Sequence, residues 1–77
     1  MRIKNIGNNA VAVLTQYKNY LFSYGLLVAV YHYDKGILNV CDHHYSASTT
    51  KHYNKWISEY KICAEEKAVT RRFIELI

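Results

Sequence analysis

The chain has no proline and only three glycines, Gly7, Gly25 and Gly36, among its 77 residues. Without a Gly-rich run it has no loop of the kind whose amides cradle a nucleotide phosphate. Its two cysteines, Cys41 and Cys63, lie one in each half. That is too few for the disulfide framework of a small secreted scaffold, although the pattern leaves one bridge between the halves open. Long apolar runs are missing too. The longest, Gly25 to Tyr31, falls far short of the ~20 residues that span a bilayer. Met1 to Asn9 contains no apolar h-region, so the expectation is a cytoplasmic protein with no leader and no membrane partner. Carboxylates are sparse, and the adjacent pair Glu65-Glu66 reads as a solvated helix start, not an acid–base couple.

What remains is half hydrophobic, at 51%. A chain of this size makes one domain, residues 1–77, and such a domain is marginal unless something reinforces it. The formal charge is +4. The cations are scattered over Arg2, Lys4, Lys18, Lys35, Lys51, Lys55, Lys61, Lys67, Arg71 and Arg72, whereas dedicated nucleic-acid binders gather them on one face.

Ala10 to Gln16 and Tyr20 to Tyr24 read as β-strands. A turn at Tyr17-Lys18-Asn19 separates them, and a bulge or tight turn at Gly25 follows. Arg2-Ile3-Lys4 suggests a short edge strand. In Leu26 to Tyr33, period two puts Leu26, Val28 and Val30 on one face and Leu27, Ala29, Tyr31 and Tyr33 on the other. Asp34-Lys35-Gly36 is a hairpin turn leading to a strand over Ile37 to Tyr45. The hydroxyl-rich stretch Ser46 to Thr50 then opens a helical half, with Ser48 or Thr49 as N-cap. Tyr53, Trp56, Ile57 and Tyr60 form an apolar stripe at i, i+3, i+4, i+7 that should pack on the sheet. After a break near Lys61 to Ala64, Glu65 to Leu76 reads as a second helix with Val69, Phe73 and Leu76 on its stripe, unless one long helix runs to the end. The expected fold is therefore α+β: an antiparallel sheet of about four strands within residues 10–45, with one or two helices in residues 49–77 packed on it.

Several clusters carry chemistry in principle. His32, His43, His44 and His52 with Cys41, Cys63, Asp34 and Asp42 lack the paired spacings of a zinc site, so no metal and no cofactor are expected. Cys41 with His43 or His32, and Ser46 with His52, supply nucleophile–base pairs. A domain this small has little room for the pocket and oxyanion donors that catalysis needs, and the expectation is no enzyme. Eight tyrosines are present. Tyr31 and Tyr33 beside Lys35 would make an aromatic contact patch if their face is open. Lys51 and His52 at the helix start could hold an anion. Arg71 and Arg72 mark the outer face of the last helix.

Two segments carry a resemblance. Leu21-Phe22-Ser23-Tyr24-Gly25-Leu26-Leu27-Val28-Ala29 and Tyr45-Ser46-Ala47-Ser48-Thr49-Thr50-Lys51-His52 resemble a family of small phage and prophage domains of unknown function. These carry an "SYxTxVA" strand pair and a "YSxTTxxH" helix start. The chain departs at Leu26, where the family tends to have Thr. The resemblance implies a small sheet closed by a helix and a bacteriophage origin, and no known chemistry. The functional expectation is a non-enzymatic binding protein that acts on a host protein, such as an inhibitor of a defence system (an anti-CRISPR) or of host transcription. The contact residues would be Tyr31, Tyr33, Lys35, Lys51, His52, Arg71 and Arg72. A basic nucleic-acid-binding regulator is one alternative. A homodimer or assembly subunit joined through Val69, Phe73, Ile74 and Leu76 is the other.

Overall fold

A computed structural model describes residues 1–41, 47–64 and 66–70. Its elements are β1 (Arg2–Gly7), β2 (Ala10–Leu14), β3 (Lys18–Ser23), β4 (Leu26–His32), β5 (Ile37–Cys41), α1 (Ala47–Tyr60) and β6 (Glu66–Thr70). All six strands form one sheet in sequence order. β1 to β5 are an antiparallel meander, and β6 returns after the helix to pair in parallel with β5.

The turns follow from local chemistry. β3 and β4 are joined by Tyr24 and Gly25 at φ 53° and 79°, the pair of positive angles that a two-residue type I′ hairpin demands. Tyr24 also donates its N–H to the carbonyl of Asn9 at 2.8 Å, which ties this turn to the β1–β2 turn. In the β4–β5 turn Gly36 sits at φ 65° and donates to the His32 carbonyl at 2.9 Å.

α1 lies across one face of the sheet. Trp56 is 0% exposed and packs with Ile6, Ala10, Ala12, Leu21, Val28, Ala29, Leu38 and Val40. Tyr53, Ile57 and Tyr60 pack against the same cluster, as the sequence stripe predicts. Small side chains at Ala10, Ala12 and Ala29 leave room for the indole. Burying such a ring contributes about 4–6 kcal/mol on an area basis. The helix stops in a Schellman motif: Lys61 at φ 50° donates to Ser58 O at 3.3 Å, and Ile62 donates to Ile57 O at 3.0 Å.

Four expectations need correction. The sheet has six strands, not four, because the edge strand at the start is longer than Arg2-Ile3-Lys4 and a further strand follows the helix. Where a second helix was expected, Glu66–Thr70 is β6, so residues 49–77 are not a helical half. Pairing with β5 satisfies an otherwise bare sheet edge, and β-branched Val69 suits it. Ser48 and Thr49 are not the N-cap, since α1 already begins at Ala47. Finally, the register shifts between Leu21 and Phe22. This bulge breaks the period-two reading of β4, so that Val28 joins Ala29 in the helix-side core while Leu27 packs with Val30 on the other face.

Candidate functional site

Two surfaces stand out. The first is a cleft of about 310 Å³ where α1 meets the β1–β2 and β3–β4 turns, lined by Gly7, Asn8, Tyr24, Ser48, Lys51, His52 and Lys55. The helix projects Lys51 and Lys55 four residues apart, so both reach the same side. His52 is held from below. Its Nδ1 lies 2.8 Å from the hydroxyl of Ser23, which is 2% exposed and also meets the Thr49 hydroxyl at 3.2 Å. The His52 ring packs against Tyr24 at a centroid distance of 5.6 Å. Ser23 is enclosed by these partners, so its oxygen orients the imidazole and is not placed to attack a substrate.

The second surface is the sheet face opposite the helix. Tyr20, Val30 and Cys41 form a small buried cluster there, with Val13, Phe22 and Leu27 against it. Toward β1 the face is open. Ile3 is 68% exposed, and Met1 is more so. Two adjoining depressions of about 550 and 370 Å³ share Ile3, Val13 and Phe22 in their walls, with Val11 and Tyr24 lining the larger and Met1 and Tyr20 the smaller.

One family model matches residues 1–75. The chain belongs to DUF8033, a family of unknown function. No curated protein and no solved structure matches it.

In this DUF8033 chain five of the expected contact residues, Tyr31, Tyr33, Lys35, Lys51 and His52, are among the described residues. Tyr31 is half-buried and packs on the helix-side core. Tyr33 is 43% exposed and meets Tyr31 edge-to-face at 5.4 Å. Burial raises the Tyr33 phenol above its ordinary value, with the Asn19 amide nearby opposing. Lys35 is exposed in the β4–β5 turn. Lys51 and His52 do come together, in the cleft. Arg71, Arg72, Phe73, Ile74 and Leu76 lie outside the described residues, as do Asp42, His43, His44, Tyr45 and Ser46.

Of the metal-type candidates, His32 Nε2 pairs with Asn39 Oδ1 at 2.7 Å. Among the described residues no three His, Cys, Asp or Glu side chains converge. Cys41 and Cys63 form no disulfide. No described helix is long and apolar enough to cross a membrane. Sequence reasoning missed Ser23, Thr49, Tyr24 and Lys55 as parts of the cleft, and missed the apolar face altogether. The only advance signal for the face was the apolar content of β1 and β2.

Proposed function

We propose that this DUF8033 chain is a non-enzymatic binding protein that covers a partner protein with its helix-free sheet face. The observation that carries the reading is the apolar surface where exposed Ile3 adjoins half-buried Val11, Val13 and Phe22, with two shallow depressions in it. Open apolar surface of this kind on a small domain marks an interaction site. Its occupant is an acidic protein that brings apolar side chains to the contact. The chain carries +4 as a whole, and none of the side chains lining the two depressions is charged. A second copy would bring like net charge, whereas an acidic partner is attracted to the chain as a whole. The resemblance of Leu21 to Ala29 and Tyr45 to His52 to phage domains supports a host protein as that partner. Inhibition of a defence or transcription component is the corresponding role.

The test is affinity capture from nuclease-treated host lysate with the wild type and two variants that lose the same charge. Ile3→Glu places a carboxylate on the open face. Tyr17→Glu places one in an exposed turn. A protein held by wild type and Tyr17→Glu but lost by Ile3→Glu supports the reading. Equal retention by both variants, or retention that disappears with nuclease, overturns it.

A further inference from the structure

We propose that the cleft between α1 and the β1–β2 turn is a binding site for a phosphate group. Its lining residues include Lys51, Lys55, His52 and Ser48, all able to donate, and no Asp or Glu. Lys51 and Lys55 are like charges at i, i+4, an arrangement that costs a helix about 0.2–0.5 kcal/mol. Neither has an ion-pair partner among the described residues. The one acid of α1, Glu59, sits four residues after Lys55 and could have neutralised it. Instead it pairs with Lys4 on β1 at 2.7 Å. The Gly7 backbone is close to both reaching groups, since a side-chain carbon on it would lie 4.0 Å from Lys55 Nζ and 3.9 Å from His52 Cδ2.

The imidazole is built in, unlike a surface histidine. Ser23, itself buried, fixes Nδ1 and is backed by Thr49. Nε2 is then the ring nitrogen left for a ligand. With the Ser23 hydroxyl donating to Nδ1, the neutral ring carries its proton on Nε2 and offers a third N–H. Two ammoniums, an N–H and an O–H suit a ligand that only accepts hydrogen bonds and carries charge, and a phosphate supplies several such oxygens. The site rests on these side chains and not on the amides of the helix start.

Tyr24 adds a hint about size. Tyr24, whose φ of 53° the type I′ turn sets, lies at the junction of this cleft and the apolar depression of the open face. An aromatic ring there gives a base something to stack on. The phosphate therefore comes either alone or as a nucleoside monophosphate. This inference is independent of the protein-docking reading.

The full chain would be titrated with inorganic phosphate and, separately, adenosine monophosphate at fixed ionic strength, following backbone amide shifts. The expected result is saturable shifts at Gly7, Asn8, Ser48 and Lys51 with Kd at or below about 1 mM. Lys51→Ala with Lys55→Ala should weaken binding about tenfold or more, and Ser23→Ala about threefold, with amide dispersion confirming that each variant is folded. Lys35→Ala with Lys61→Gly removes the same charge elsewhere and should leave binding unchanged. Tighter binding of the nucleotide, lost in Tyr24→Gly while inorganic phosphate still binds, supports the site and names a nucleotide. Equal affinity supports the site and names phosphate alone. Non-saturating shifts, or equal losses in the cleft and control variants, overturn the proposal.

Discussion

The indole nitrogen of Trp56 donates to Oδ1 of Asn19 at 3.1 Å, and both side chains are fully buried. This bond joins α1 to β3 at the centre of the domain. Trp56→Phe keeps an aromatic ring but orphans the buried Oδ1 of Asn19. The expected loss is about 2–4 kcal/mol, from an unsatisfied buried acceptor plus a cavity. Urea denaturation followed by circular dichroism measures it.

Tyr31 and Tyr33 should behave differently. Tyr31→Ala removes a ring packed on the core and should destabilise by about 1–3 kcal/mol. Tyr33, mostly clear of the core, should cost under about 1 kcal/mol. Thermal melts of the two single variants separate these roles. Equal losses would mean that the pair acts as one packed unit.

Lys61 occupies the left-handed position that closes the Schellman motif. A Cβ is unfavourable there and glycine is not. Lys61→Gly should therefore stabilise the domain by about 0.5–1 kcal/mol. A rise in the urea midpoint with an unchanged slope is the signature.

Burial raises the Tyr53 phenol above its ordinary value of 10.0. The unfolded chain then ionises this group first as pH rises. Stability is fully present below the unfolded value and is lost as pH climbs through the folded one. Comparing urea midpoints at about pH 8 and about pH 11, Tyr53→Phe should show a smaller alkaline loss than the wild type.

The helix stripe and the β4–β5 hairpin were legible because each is local. Tyr53, Trp56, Ile57 and Tyr60 repeat at helical spacing, and Asp34-Lys35-Gly36 contains the glycine its turn needs. β6 was not legible. Its short run also fits a helix continuing to Phe73 and Leu76, and only the free edge of β5 favours the strand. The β4 bulge has no mark in the sequence, so the faces of Leu27 and Val28 were read the wrong way round. Lys51 and His52 were visible as neighbours in the chain. Ser23, which orients the His52 ring, is 29 residues away, and no spacing rule links the two. Gly25 marked the β3–β4 turn, and only the share of Tyr24 in it went unread, because tyrosine rarely takes a positive φ.

The docking face is tested most directly by methyl spectra of the labelled chain with and without the protein it captures. The account predicts shifts at Ile3, Val11, Val13 and Leu27, with Val28, Ile57 and Ile62 on the helix side unmoved. Shifts confined to Val28, Ile57 and Ile62 would contradict it.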